Sequence, residues 1–514
     1  MKTSDILVIG SGIAGLTGAA LLARDGRRVL LLESHDKVGG CAGYFEVPSK
    51  WGDFRFPTGA TTALGLENGG LHAEIFEGLS VECPSLPVEK LAVFLPDLRT
   101  DLWQNPDKWR RARRQLPGNR AGQERFWRLQ EMVADAVWFA LSRKPSLPLE
   151  TFADLGRNLS LINPRLAPMI AALPFSVGEA MKWLRIDRDR AFSALVNLQL
   201  IITTQSLSHA APLGNGMAGL DLWRHGARHP TGGVGRIAEA LREGFEKCGG
   251  EIRFGARVTQ VRRAGEIWEI EVASGEIFRA RKIVANMSPG NAAKLLESSE
   301  HSPRKLHRST RRAARSWGAV TLYCALREDA VPAGFPLHAQ VLTGYHRAPP
   351  YLKPGAGDDV FLSLSARGDL CSAPAGWRAL NISTHVSLAD WQHLTPEKYR
   401  EKKKFWRDKL LDGARVALPN LDESRGFVIC GTPSSWEDYT LRASGAVGGV
   451  PLTRRTANLR ALPSRLGIAD FHLVGDSTFP GQGTVACALS GFNAWRDINK
   501  ESPQQATGYL NEGV

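Results

Sequence analysis

The apolar run Asp5-Ile6-Leu7-Val8-Ile9 ends directly in Gly10-Ser11-Gly12-Ile13-Ala14-Gly15, and the stretch from Leu16 to Arg24 that follows is rich in good helix formers. No other feature restricts the fold so tightly. A strand passing through a Gly-x-Gly-x-x-Gly turn into a helix opens a dinucleotide-binding βαβ unit. Gly10 permits the tight turn, Gly12 lets the backbone approach a pyrophosphate, and Gly15 lets the helix lie close to the strand, with its N-terminus facing the phosphates. A second apolar run, Val29 to Leu32, ends in Glu33, where such a fold needs an acceptor for the adenosine ribose hydroxyls.

The residues after Glu33 separate flavin from nicotinamide. Ser34-His35-Asp36-Lys37-Val38-Gly39-Gly40 completes a Glu-x5-Gly-Gly continuation that resembles the extended fingerprint of the flavin-containing amine oxidase and carotenoid desaturase superfamily. Gly39 and Gly40 would again bring backbone amides against phosphate or ribityl oxygens, so the resemblance implies bound FAD. Near the other end, a short strand, Phe471 to Val474, leads into Gly475-Asp476-Ser477-Thr478-Phe479-Pro480-Gly481-Gln482-Gly483 and a small-residue helix from Thr484 to Trp495. Asp476 can accept from a ribityl hydroxyl, and the turn aims a helix N-terminus at the flavin pyrimidine, where reduction deposits negative charge. Between these ends, His229-Pro230-Thr231-Gly232-Gly233-Val234-Gly235 precedes a helix over 236–247 and strands over 251–254, 257–263, 267–272 and 282–285. By the same resemblance, Val258 pairs its backbone with the adenine edge, and Asn286 ends the strand that returns to the cofactor.

Gly59-Ala60-Thr61-Thr62-Ala63-Leu64-Gly65 with Glu67-Asn68-Gly69-Gly70-Leu71-His72, then Gly431-Thr432-Pro433, Tyr439 and Gly445 to Pro451, resemble the carotenoid desaturase and isomerase family, in particular its cyanobacterial-type 3',4'-desaturase branch. The resemblance runs over about 1–498. It implies that Ile13, Ala14, Ser34, Gly59, Ala60, Thr61, Gly475, Gly483 and Val485 join the cofactor site. One departure stands out: the family reads Phe-Asp-x-Gly before Ala-Thr, whereas this chain has Phe54-Arg55-Phe56-Pro57-Thr58-Gly59, with no acid.

The implied fold is α/β: a discontinuous Rossmann-like FAD-binding domain (1–95, 221–300 and 425–500) with an inserted mixed α+β substrate domain. Its parts are a helical, membrane-facing insert (96–220) and a sheet-and-helix segment (301–424), followed by a polar tail (501–514). The implied activity is desaturation of a carotenoid or related polyisoprenoid by hydride transfer to flavin N5, with oxygen or a quinone as electron acceptor. A cis-trans isomerase using reduced FAD, and a non-catalytic prenyl or lipid carrier, share the same fold. No catalytic side chain is implied, because the carbocation left behind is delocalised along the polyene.

Charge needs placing within this frame. The 514 residues carry 65 Lys+Arg against 52 Asp+Glu, a formal +13. Trp103, Trp109, Phe126, Trp127, Trp138 and Phe139 interleave with Lys108, Arg110, Arg111, Arg113, Arg114 and Arg120, and a second basic cluster lies at Arg304, Lys305, Arg308, Arg311, Arg312 and Arg315. Aromatic and basic residues together suit the headgroup boundary of an anionic bilayer, so both clusters are expected to dock there. Leu166, Met169, Ile170, Leu173, Val177, Met181 and Leu184 recur at roughly helical spacing. No apolar run reaches the roughly 18 residues that span a bilayer, and Leu195 to Ile202 is far shorter. No secretory signal is expected, and the seven scattered cysteines fit a reducing, cytoplasmic setting as buried or incidental thiols. No metal site is expected: there is no His-Glu-x-x-His, and His225 with His229 is the only close histidine pair of interest. There is no Gly-x-Ser-x-Gly elbow, no Walker loop and no nucleic-acid-binding motif.

Overall fold

A computed structural model describes residues 4–150, 152–297, 303–314 and 316–500. The expected polar tail and Arg315 lie outside the described residues. The opening unit forms as anticipated: strand Ser4–Ile9, helix Ile13–Arg24 and strand Val29–Leu32. Seven strands make the first sheet, in the order Val258–Ala264, Ile267–Val272, Ile277–Asn286, Ser4–Ile9, Val29–Leu32 and Glu251–Arg253, with Phe471–Val474 pairing on Ile277–Asn286. Ser4–Ile9 lies parallel to both its neighbours, and Phe471–Val474 is parallel to Ile277–Asn286. Strand alternation sends Ile6 and Val8 into one core, with Leu16, Leu22, Ile237 and Ala488. Leu7 and Ile9 enter another, with Trp268, Ile283 and Phe471. Burial on both faces explains why these strands read as unbroken apolar runs.

The second sheet also has seven strands: Arg425–Gly431, Trp317–Arg327, Trp377–Ser387, Asp359–Leu364, His338–Leu342, Lys90–Leu95 and Leu98–Trp103. Two expected boundaries therefore move. Lys90–Leu95, assigned above to the first cofactor segment, pairs with His338–Leu342 and Leu98–Trp103, and Arg425–Gly431, assigned to the third, pairs with Trp317–Arg327. Periodicity marks a strand without naming its sheet. One face of this sheet, carrying Leu322, Leu362, Leu380 and Ile382, packs on Trp406 and Leu410 of helix Pro396–Ala417.

The helical part corrects a further expectation. Trp109, Phe126 and Trp127 do not face a bilayer; with Phe192 they form an edge-to-face cluster in the core, Trp109 and Trp127 having ring centroids 5.1 Å apart. Arg113 is buried beside them and donates to Glu131 at 2.8 Å and Glu124 at 3.4 Å. Helical periodicity turns the tryptophans inward and leaves Lys108, Arg110, Arg111, Arg114 and Arg120 on the solvated side. The run from Leu166 to Leu184 is likewise broken into a 3-10 turn at Pro164–Leu166 and helices Ala167–Ala172 and Val177–Trp183. Leu195 to Ile202 lies in helix Arg190–Thr204, which is buried almost all round. Among the described residues no helix is long and apolar enough to cross a membrane.

Candidate functional site

The first turn is assembled around one side chain. Asn286, at the end of its strand, accepts from the Gly15 N–H through Oδ1 at 3.0 Å and donates through Nδ2 to the Val474 carbonyl at 3.3 Å. It thereby ties the N-terminal turn to the C-terminal one. A Cβ on Gly12 would stand 2.5 Å from Asn286 Oδ1, and one on Gly15 would stand 2.3 Å from the Gly10 carbonyl oxygen. Gly10 itself has φ +91°. Glycine at these places is enforced by packing as well as by any phosphate. Gly39, at φ +110°, forms a bridge to Gly12 and donates its N–H to the Ser11 carbonyl at 2.9 Å, seating the Gly39-Gly40 loop on the turn.

Glu33 is occupied by the protein's own donors. Its Oε2 accepts from the Ser11 N–H at 2.8 Å and the Ser11 hydroxyl at 2.5 Å, while Oε1 accepts from the Ser34 hydroxyl at 3.1 Å and the His35 N–H at 2.9 Å. The carboxylate therefore orders the turn, with Ser34 bound to it. The Ala256 N–H donates to the Glu33 carbonyl, which brings the start of strand Val258–Ala264 near this end.

From the turn, a cavity of about 1000 Å³ runs through the molecule. It brings together Gly12, Ile13, Ala14, Gly39, Gly59 and Ala60, together with Thr61, Asn286, Asp476, Gly483 and Val485. Gly10, Gly15, Glu33, Ser34, Gly40, Val258 and Gly475 do not line it. The first residues of helix Ile13–Arg24 and of helix Thr484–Lys500 both meet this space, so two helix N-termini face it. Bare glycine backbone, two helix N-termini and the Gly39 loop fit a dinucleotide pyrophosphate and the flavin joined to it.

Asp476 does not stand free. Arg442, which sequence reasoning missed, holds it in an ion pair at 2.5 Å and also donates to the Gly448 carbonyl at 2.6 Å. Burial opposes the Arg442 charge, but Asp476 more than offsets this and keeps the guanidinium above its usual range. Cys41 and Cys487 flank the pair and line the cavity, and burial pushes both thiols up, so they stay protonated. Only the position of Arg442, between Tyr439 and the glycines from Gly445, hinted at it. Arg55, in the place of the family's acid, points elsewhere: it pairs with Glu239 at 2.7 Å and lies 3.4 Å from the Tyr44 ring centroid.

Beyond the turns, the cavity has an apolar side and a polar floor. Leu166, Met169, Ile170, Leu173 and Leu459 line the apolar side, and Ile170, Leu173 and Leu459 are also exposed to solvent, so the cavity opens there. Trp138 stacks on His225 with ring centroids 3.8 Å apart, and its indole N–H donates to Asp221. The floor is the second sheet, which presents Thr321, Gln340, Asp359, Phe361, Ser383 and His385. An apolar passage continuous with the turns suits a hydrophobic ligand.

A family model described as an NAD(P)-binding Rossmann-like domain matches residues 8–79. A chloroplastic prolycopene isomerase of an Oncidium hybrid cultivar is 26% identical over 506 residues, covering 95% of this chain and 82% of the relative. A phytoene dehydrogenase of Streptomyces griseus is 24% identical over 516 residues, covering 95% of this chain and 93% of the relative. Among solved structures, a putrescine oxidase double mutant superposes with a TM-score of 0.64 at 13% identity, covering 97% of this chain and 99% of the other. That last likeness concerns the fold alone.

Proposed function

We propose that this chain, which resembles carotenoid desaturases and isomerases along most of its length, is an FAD-dependent enzyme that desaturates a carotenoid or related polyisoprenoid. The observation that carries the reading is the single cavity that joins the dinucleotide turns to an apolar, solvent-reaching opening. The residues that would hold the cofactor are the first turn with Asn286, the Gly39-Gly40 loop, Gly59 to Thr61, and Asp476 to Val485. Bound there, FAD supplies a two-electron oxidant that accepts a hydride at N5. The chain's own residues do the remaining work. Asn286 holds the two glycine turns in fixed relation, and Arg442 holds Asp476 in place. The N-terminus of Thr484–Lys500 offers positive potential to whatever charge develops beside it. The apolar wall aligns an extended chain and excludes water.

The polyene reaches this opening from a bilayer. Phe152 and Ile162 are 96% and 80% exposed, and Leu149, Leu155 and Leu159 are exposed beside them in sequence, next to the cavity-lining segment 161–173. The basic helix Arg304–Ala313 is tied to this region by Lys305, which pairs with Glu150 at 3.3 Å. Burial, and then the neighbouring charges of Arg308 and Arg455, push Arg312 down. An apolar protrusion beside a cationic patch suits docking on anionic lipid. The membrane-facing role expected of the tryptophan cluster is thus assigned to residues 149–173.

A second reading, cis-trans isomerisation with reduced FAD, is favoured by the prolycopene isomerase match. Purified protein reconstituted with reduced FAD under anaerobic conditions and given a defined poly-cis polyene separates the two. Geometric isomerisation at constant hydrogen content establishes isomerisation; reaction only with oxidised FAD, with loss of two hydrogens, establishes desaturation. Purified protein that retains no flavin absorbance would contradict both.

A further inference from the structure

The register of the second sheet puts two jobs on one face. Gln340 lies across from Phe361, Phe361 across from Ser383, and Ser383 across from Thr321, and all four line the cavity. Two residues along each strand, on the same face, comes a second row paired in the same order: His338, Ser363, Asn381 and Tyr323. These four do not line the cavity, and each is at most 5% exposed.

Three of the four grip a single segment. The Tyr323 hydroxyl donates to the Thr58 carbonyl at 2.7 Å, Asn381 Nδ2 donates to the Pro57 carbonyl at 2.9 Å, and His338 Nε2 stands 3.3 Å from the Thr62 hydroxyl. Residues 58–62 follow strand Phe54–Pro57, belong to no helix or strand, and include Gly59, Ala60 and Thr61 of the cofactor site. On the far side the Thr58 N–H donates to the Gly43 carbonyl at 2.9 Å and the Ala60 N–H to the Cys41 carbonyl at 3.3 Å. The segment thus spans the gap between the loop that begins at Gly39-Gly40 and the second sheet. Trp436 closes on it as well, since a Cβ added at Gly59 would stand 2.7 Å from the indole ring. With no ladder of its own, its course is set by these side chains.

We propose that Tyr323 and Asn381, supported by His338, are positioning residues for the flavin: they hold the backbone of residues 57–62 against it, at a distance set by the sheet that floors the polyene cavity. The inference rests on the flavin and polyene reading of the cavity and adds the residues that fix one ligand relative to the other. One row of the sheet serves the polyene, and the next row serves the segment beside the flavin. A neutral hydrogen bond of this kind supports about fivefold in affinity.

The test uses the full chain as wild type, Tyr323→Phe and Asn381→Leu, with Ile382→Val as control. Tyr323→Phe removes one hydroxyl and keeps the ring against Phe45 and Phe56. Ile382 lies between Asn381 and Ser383 but packs toward helix Pro396–Ala417, so its truncation weakens the same strand without touching the segment. FAD is titrated into apo-protein, the flavin absorption is recorded without polyene, and kcat and KM are separated with a defined acyclic polyene. Tyr323→Phe and Asn381→Leu should each weaken FAD binding about fivefold, shift the flavin absorption, and lower kcat at nearly constant KM. Ile382→Val should lower Tm comparably and leave FAD affinity and spectrum as in the wild type. Wild-type FAD affinity and spectrum in folded Tyr323→Phe would overturn the positioning role. So would an equal change in Ile382→Val, because the effect would then follow stability alone. A wild type that binds no FAD would overturn the flavin reading and the positioning role with it. A flavin-loaded wild type that leaves the polyene unchanged would overturn the polyene reading, and the flavin measurements would still decide the positioning role. Tyr323→Phe carries the test if Asn381→Leu does not fold.

Discussion

Substituting Gly15 by alanine puts the account of the first turn under direct load. In an ordinary helix this change stabilises, by up to about 1 kcal/mol. Here the added Cβ would stand 2.3 Å from the Gly10 carbonyl oxygen and 3.0 Å from Asn286 Cβ. Ordinary contact requires the helix and turn to separate by roughly 1 Å. That separation stretches the Gly15 N–H bond to Asn286 Oδ1, now 3.0 Å, and loosens the link from Asn286 to Val474. Overpacking costs about 1–3 kcal/mol and the lost hydrogen bond about 1 kcal/mol more. After the propensity gain, a net destabilisation of about 1–3 kcal/mol remains. FAD affinity should fall by more than stability alone requires, because the displaced backbone is the pyrophosphate cradle. Urea unfolding of apo-protein gives the stability term, and flavin absorbance after gel filtration gives retention. Gly344→Ala, where an added Cβ meets nothing within 4 Å, serves as control. A Gly15→Ala protein that matches the control in both readouts would refute the packing argument.

Three further outcomes follow from the same geometry. Arg442→Leu leaves the half-buried Asp476 without its counter-ion, which should cost about 1–3 kcal/mol and release flavin, whereas Arg442→Lys should lose less; denaturant titration with flavin quantitation distinguishes them. The raised Asp359 carboxyl makes the folded state bind the proton more tightly than the unfolded chain. Its penalty is absent below the usual carboxylate range, grows as pH rises from 3.8, and levels off above about 7, reaching at most about 4 kcal/mol. Asp359→Asn should therefore raise the melting temperature more at pH 8 than at pH 4, and an equal shift at both would contradict the burial argument. Phe152→Asp with Ile162→Asp should cut binding to anionic vesicles at least about tenfold. Trp127→Ala should cost about 3–5 kcal/mol of stability with no change in vesicle partition of the folded protein, measured by co-sedimentation.

The phosphate-facing turns were legible because their chemistry is local: Gly10 to Gly15, Glu33 and Gly39-Gly40 must stand at set spacings along one chain segment. The strand Phe471–Val474 and the start of helix Thr484–Lys500 were legible for the same reason. What depends on distant pairing was not. Lys90–Leu95 alternates like any strand, and only its partner His338–Leu342 assigns it to the second sheet. Trp109 and Trp127 carry the composition of an interfacial belt, but the turn of the helix directs them at Phe192. Asp358 and Asp359 are adjacent and identical in sequence, yet one meets Lys409 and the other is buried against the cavity. Arg442 follows the same rule, since its partner Asp476 lies in the other glycine turn.

The central claim, that one cavity aligns a polyene beside the dinucleotide turns for redox chemistry, is tested most directly by pigment. The chain is expressed in a host that makes a single defined acyclic carotenoid, and the products are separated by absorption and mass. The account predicts loss of two hydrogens with a red-shifted spectrum. A pigment unchanged in mass and in double-bond geometry, in cells whose purified protein carries FAD, would contradict it.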